Sequence, residues 1–178
     1  MKIIDDFLPS HEFEEVRDNI IGGVRNGSLS SLGSTWSSTG APFYLLNTVA
    51  YDHEEQHPWC WYAQHVVFNE GFGESHLYNP LHSIFIPKFD IKALIRIKIN
   101  FYPHTEIVKE HPPHHDYDFS HRAAVFSLNT CDGFTRLEDG TKIDSVANRI
   151  VFFDGSQEHN SSTTSTTYGR YNINFNFL

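Results

Sequence analysis

The run His111-Pro112-Pro113-His114-His115-Asp116-Tyr117-Asp118 gathers metal-ligating side chains into a short stretch of chain. On an extended strand, residues two apart project from the same face about 7 Å from one another, so His114 and Asp116 can grip a single ion. A third ligand has to come from elsewhere. Two imidazoles and one carboxylate on one face of an octahedron leave the remaining positions open to exogenous ligands. His159 is the candidate, placed after the apolar run Ile150-Val151-Phe152-Phe153 and the turn-like Asp154-Gly155-Ser156. By itself a His-x-Asp pair is a weak signal, because a solvated loop histidine beside an acidic residue has the same appearance.

The neighbourhood strengthens it. Eleven residues after His159, Arg170 opens a run in which Tyr171, Ile173, Phe175 and Phe177 alternate with Arg170, Asn172, Asn174 and Asn176. An earlier run has the same design, with Ile95, Ile97, Ile99 and Phe101 on one face and Arg96, Lys98, Asn100 and Tyr102 on the other. Such alternation fits an antiparallel sheet with its polar face in water, or a barrel with a functional polar interior. The metal-ligating residues between the two runs favour the barrel. An inward arginine then needs an anion, because a buried unpaired guanidinium is costly.

His104, His111, His115 and His121 read as surface or supporting residues, and His115 faces away from His114. A bulge after Pro112-Pro113 would change that register and make His111 or His115 the ligand instead.

The elements that must position these residues divide the chain in two. Residues 3–8 form a short apolar stretch ended by Pro9. Ser10 can then cap a helix with Glu12, Glu14 and Glu15 early in it and a buried stripe of Phe13, Val16 and Ile20. Residues 26–40 are mostly Ser, Thr and Gly around Trp36, which reads as an irregular loop and a candidate lid. A second helix is expected over 59–69, where Tyr62 and Val66 lie four apart with Trp61 and Phe68 beside them. After about residue 93 the pattern changes to short alternating runs separated by turn signals such as Cys131-Asp132-Gly133 and Asp139-Gly140. The reading is one domain over 1–178, with a helical support region and loop over 1–92 and a β core over 93–178.

Composition limits the function further. The 178 residues carry a net charge of −9, which disfavours non-specific nucleic-acid or anionic-lipid binding. Cys60 and Cys131 are too few for a disulfide framework and read as reduced thiols. With no signal-peptide apolar core and no apolar run long enough to span a membrane, a soluble, cytoplasmic protein is expected. The last core strand runs to the end of the sequence, so no C-terminal recognition domain is expected.

His-x-Asp, a distal His and an Arg on the next strand, in that order, resemble the 2-oxoglutarate/iron(II) oxygenases, in the branch similar to prolyl 4-hydroxylases. Tyr102, in Ile99-Asn100-Phe101-Tyr102-Pro103, matches the tyrosine that touches the cosubstrate in that branch. Ala124-Val125-Phe126-Ser127-Leu128-Asn129 resembles its next core strand, and residues 3–9 resemble its N-terminal opening. Ser127 stands about where that branch often has a second cosubstrate-binding tyrosine. Asp116 is retained where halogenating relatives have a small residue, so the resemblance points to hydroxylation or a related oxidation.

The resemblance implies a mainly β fold, a double-stranded β-helix or jelly roll, with the N-terminal helices packed on one sheet. It implies Fe(II) held by His114, Asp116 and His159, with 2-oxoglutarate chelating the iron and O2 taking a remaining position. The distal carboxylate of 2-oxoglutarate is expected on Arg170 and Tyr102, with Asn100 and Asn172 beside them. A small-molecule or peptidyl substrate and a monomer or homodimer are expected. The competing reading is a cupin-like metal-binding jelly roll without oxygenase activity, an isomerase, sensor or binding module. Its usual ligand set adds a third histidine that this sequence does not obviously supply.

Overall fold

The two alternating runs become the central pair of strands. The computed structural model describes residues 1–22, 41–50 and 57–178; the loop and lid expectation for 26–40 lies outside them. Its strands are β1 (Lys2–Ile4), β2 (Tyr44–Leu46), β3 (Tyr62–Asn69), β4 (Phe72–Gly73), β5 (Leu94–Pro103), β6 (Arg122–Ser127), β7 (Phe134–Leu137), β8 (Lys142–Asp144), β9 (Ile150–Asp154), β10 (His159–Ser161) and β11 (Gly169–Phe177). The helices are α1 (Ser10–Ile21) and α2 (Tyr78–Phe85).

β5 and β11 pair antiparallel in a register that sets Arg96, Lys98, Asn100 and Tyr102 opposite Asn176, Asn174, Asn172 and Arg170. Both polar rows therefore share one face. This pair sits inside a large antiparallel sheet of order β1-β9-β6-β11-β5-β3-β2, with β4 added on β3. A smaller sheet, β10-β7-β8, lies opposite, and the segment carrying the His-x-Asp pair joins it through bridges Glu110–Ser162 and His114–His159. Two antiparallel sheets enclosing a polar interior make the jelly roll that the family resemblance implied.

The apolar face of the large sheet carries the core. Ile97, Ile99, Ala124, Phe126, Ile173, Phe175 and Phe177 pack with Val16 and Ile20 of α1 and Leu81 and Phe85 of α2. Phe85 lies 5.0 Å from Phe126 and 4.9 Å from Phe175, ring centre to ring centre. Complete burial of such a side chain contributes about 1.5–3 kcal/mol, and Phe85→Ala would cost about 3–5 kcal/mol with its cavity. The helices pack on the outer face, and the same strands carry the polar rows on the inner one.

Two local expectations change. Residues 59–69 contain no helix: 62–69 are strand β3, paired with β5 on one side and β2 on the other. Two adjacent valines and the aromatics favour a pleated surface, and pairing with β5 overrides the four-residue spacing of Tyr62 and Val66. α1 runs where expected and buries Phe13, Val16 and Ile20, but Pro9 occupies its N-cap and no side chain caps it. It ends at Gly22, whose φ of 82° is the left-handed conformation that glycine adopts freely. Among the described residues no helix is long and apolar enough to cross a membrane.

Candidate metal centre

His114 and His159 meet because the chain segments that carry them are hydrogen-bonded neighbours. The His114 N–H donates to the His159 carbonyl and the His159 N–H to the His114 carbonyl, each at 2.9 Å. Directly opposite residues project to the same side, and the two rings lie 4.9 Å apart. Asp116, two residues on, completes the group. One ligand atom from each of His114, Asp116 and His159 lies within 4.8 Å of the others.

Each side chain is held for this arrangement. His159 Nδ1 lies 3.0 Å from the Gln157 carbonyl, and His114 Nδ1 lies 3.5 Å from that of Pro112. A carbonyl only accepts, so Nδ1 carries the proton and Nε2 keeps its lone pair for an ion. Burial, aided by the neighbouring His159, lowers the His114 pKa to about 4. Burial lowers that of His159 as well. Both imidazoles are therefore neutral, as metal ligands must be, near pH 7.

The Asp116 carboxylate has a side chain only 4% exposed, and burial alone would raise its pKa. Arg96, Lys98, His159 and a hydrogen bond from Asn176 outweigh that and hold it well below the usual carboxylate range. Arg96 Nη2 pairs with Oδ1 at 2.5 Å, while Asn176 and Asn174 donate to Oδ2 at 2.8 and 3.2 Å. Oδ2 also faces His159 Nε2 at 3.8 Å. The donor set, two lone-pair imidazole nitrogens and one ionised carboxylate oxygen, fits a divalent first-row metal.

The alternative registers do not form. His115 turns outward and pairs with Asp118 at 2.6 Å. His111 is buried with Nδ1 against Ser161 Oγ at 2.8 Å. His121 is buried beside Tyr117 and Phe119, with Nδ1 2.8 Å from the Phe119 carbonyl.

A cavity of about 30 Å³ runs inward from His114 and His159 past Lys98, Asn100, Asn172 and Tyr102 to Thr135. Asn100 Nδ2 donates to Asn172 Oδ1 at 3.0 Å across the strand pair, and Asn100 Oδ1 has no partner among the described residues. Tyr102 is hydrogen-bonded to Ser161 and Asn172, and burial raises its pKa. The Arg170 guanidinium lies over the Tyr102 ring at 5.4 Å. The two residues thus lie together, but Arg170 is boxed in at 1% exposed. Its Nη1 and Nη2 donate to the Phe134 carbonyl and Thr135 Oγ1, both at 2.7 Å, and Nε has no partner among the described residues. Each η nitrogen keeps a second N–H for an anion. As the side chains stand, the cavity holds about one water molecule, so a dicarboxylate enters only if side chains lining it shift.

Sequence reasoning left Arg96, Asn174, Asn176 and Thr135 out of the site. The alternation of β5 and β11 already put the first three on the inner face; what it lacked was the register that brings them to Asp116. Lys98 lies on the same row, and burial together with Arg96 lowers its pKa to about 8.

No family model and no curated protein sequence matches the chain. Solved structures do. A 2OG-Fe(II) oxygenase family oxidoreductase from Burkholderia pseudomallei aligns with a TM-score of 0.61 at 11% identity, over 98% of this chain and 83% of that one. A prolyl hydroxylase from Trichoplax adhaerens, solved with a hypoxia inducible factor peptide fragment, aligns with a TM-score of 0.57 at 18% identity, over 99% and 82%. A Pseudomonas putida prolyl-4-hydroxylase gives 0.56 at 13% identity, over 99% and 91%. The likeness lies in the backbone, and the chain has the fold of the prolyl hydroxylases and other 2OG-Fe(II) oxygenases.

Proposed function

We propose that this protein is an iron(II)- and 2-oxoglutarate-dependent dioxygenase that oxidises a small-molecule or peptidyl substrate, with hydroxylation the preferred outcome. The observation that carries the reading is the neutral-His, ionised-Asp triad at one end of an interior row that ends in a buried arginine over a tyrosine.

In this reading His114, Asp116 and His159 hold iron(II), and Arg170 and Tyr102 hold the distal carboxylate of 2-oxoglutarate, with Asn100 and Asn172 along its length. When bound, iron and 2-oxoglutarate supply activation of O2, with one oxygen atom going to succinate as CO2 leaves and the other to the substrate. The chain supplies orientation. The Gln157 and Pro112 carbonyls fix the imidazole tautomers, and Arg96 occupies Asp116 Oδ1 so that Oδ2 faces the ion. Asn174 and Asn176 hold the carboxylate plane. The apolar packing behind the sheet keeps both rows at fixed spacing, which positions the cosubstrate relative to the metal.

The test is an anaerobic titration of iron(II) and then 2-oxoglutarate, followed by admission of O2. The expected results are a metal-to-ligand absorption band on chelation and formation of succinate. Iron binding with no such band and no succinate would leave a metal-binding jelly roll of another function.

A further inference from the structure

Lys98 is an inner-face cation to which the site described so far gives no hydrogen-bonded partner. It lies one strand-pair step from Asn100 and Asn172, opposite Asn174, close enough to the metal group to act on His114, Asp116 and His159. Its ammonium makes no hydrogen bond or ion pair among the described residues and rests 5.5 Å from the centre of the Tyr62 ring. Asp116 is near, but its hydrogen bonds go to Arg96, Asn174 and Asn176, and none to Lys98.

Lys98 also lines a second space. A groove of about 600 Å³ opens on the far side of β5 from β11, and its walls include Gln64 and Val66 of β3, Tyr44 of β2, and Arg96. Val66 pairs with Lys98 and Gln64 with Asn100, so the groove floor continues the inner face of the large sheet. Lys98 stands where this groove and the small metal cavity share a wall.

The charges around it are uneven. In the proposed complex a divalent ion is matched by Asp116 and the chelating carboxylate, and Arg170 by the distal carboxylate. Arg96 and Lys98 then remain against a single carboxylate on the groove wall, Glu74. Arg96 at least holds Asp116, whereas Lys98 faces the groove beside the Tyr62 ring and forms no ion pair with Glu74, the carboxylate on the groove wall. A partly buried ammonium in that position attracts an anion strongly.

Building on the proposed oxygenase reading, we infer that the substrate carries a carboxylate and that Lys98 receives it at the inner end of the groove, next to the metal. Lys98 thereby acts as a specificity-determining residue. Tyr62 packs along the ammonium, and its hydroxyl is already committed to Gln64 Oε1 at 3.1 Å. Neutral analogues lack the charge that Lys98 requires and are discriminated against.

The experiment uses ¹⁵N-labelled full-length protein loaded with Zn(II) and ¹³C-labelled 2-oxoglutarate, a diamagnetic complex that does not turn over. Propionate is the probe, and propionamide is its neutral isostere. Propionate should shift the amide signals of Gln64, Val66, Lys98 and Asn174 in a saturable way, and propionamide should not. Lys98→Met should weaken propionate binding by roughly tenfold or more, and Lys98→Arg should restore most of it. The ¹³C signals of bound 2-oxoglutarate should stay unchanged throughout. The inference is overturned if propionate causes no shifts, if propionamide matches it, or if Lys98→Met binds propionate normally. It is also overturned if propionate displaces 2-oxoglutarate or Lys98→Met loses it, since the lysine would then serve the cosubstrate. Failure of the wild type to take up Zn(II) or 2-oxoglutarate at all would instead refute the oxygenase reading.

Discussion

His114 and His159 exchange both backbone hydrogen bonds, at 2.9 Å each, and this narrow antiparallel pairing brings two imidazoles from distant parts of the chain side by side. Their spacing is therefore a backbone property, and neither ring has to be pulled into place by the ion. Replacing His114, Asp116 or His159 with Ala should abolish succinate formation and remove most iron(II) affinity. His115→Ala, which removes a ring turned outward and paired with Asp118, should retain both. The measurement is an anaerobic iron titration alongside succinate release. An Asp116→Ala variant that binds iron tightly and turns over normally would sink the triad.

Arg96 is the partner on which Asp116 most depends. Deleting one member of a buried ion pair costs about 3–5 kcal/mol when both are fully enclosed. Arg96 is 18% exposed on its side chain, so Arg96→Met should cost less, about 1–3 kcal/mol, with a lower unfolding temperature. Iron affinity should also fall, because Asp116 Oδ1 loses its anchor. Unchanged thermal stability and unchanged iron affinity in this variant would show that Asn174 and Asn176 alone suffice.

Acid should unfold the metal-free protein in two stages. The His114 pKa near 4 lies below its ordinary 6.5, so folding favours the neutral ring. That contribution is complete above about pH 6.5 and disappears as pH falls towards 4. Asp116 is also depressed, from 3.8, so its contribution is complete above about pH 3.8 and is lost at lower pH. Urea unfolding of the metal-free protein should show stability falling between pH 6.5 and 4, and His114→Gln should flatten that limb. An NMR titration placing the His114 midpoint at 6 or above would contradict the burial argument.

The end of the cavity proposed for 2-oxoglutarate can be probed apart from the proposed metal ligands. Truncating one partner of a buried charge pair costs about 2–5 kcal/mol, so Arg170→Ala should weaken 2-oxoglutarate binding by roughly 30-fold to several thousand-fold. Tyr102→Phe removes one hydrogen bond and should cost about 0.5–1.5 kcal/mol, or up to about 3 with a charged acceptor. Iron binding should survive both changes. Titrating 2-oxoglutarate into the anaerobic iron(II) protein reads these affinities, and an Arg170→Ala variant of normal affinity would place the distal carboxylate elsewhere.

Gly133 offers a more indirect test. A Cβ there would sit 2.7 Å from the Thr163 carbonyl and 2.8 Å from Arg170 Cδ, so Gly133→Ala must displace both or shift its own backbone. The expected outcome is weaker 2-oxoglutarate binding with iron affinity retained. Normal affinity for both would mean that the backbone absorbs the methyl while the guanidinium stays in place.

The sequence determined what is local and periodic. A two-residue period in 95–102 and 170–177 committed Ile97, Ile99, Ile173 and Phe175 to one face and Lys98, Asn100, Asn172 and Arg170 to the other, because successive strand side chains alternate. It also put His114 and Asp116 on one side of a single segment, and it wrote the apolar stripe of α1. Tertiary pairing decided the rest. Tyr62 and Val66 have helical spacing, yet they lie in a strand because β5 offers a hydrogen-bonding edge and an apolar face behind it. Arg96 reaches Asp116, twenty residues away, only through the register of β5 with β11 and the path of the intervening segment. Arg170 was legible as inward, but its enclosure by the Phe134 carbonyl and Thr135 comes from the opposing sheet. Periodicity fixes which way a side chain points along its own strand, whereas what it meets there depends on hydrogen bonds between strands far apart in sequence.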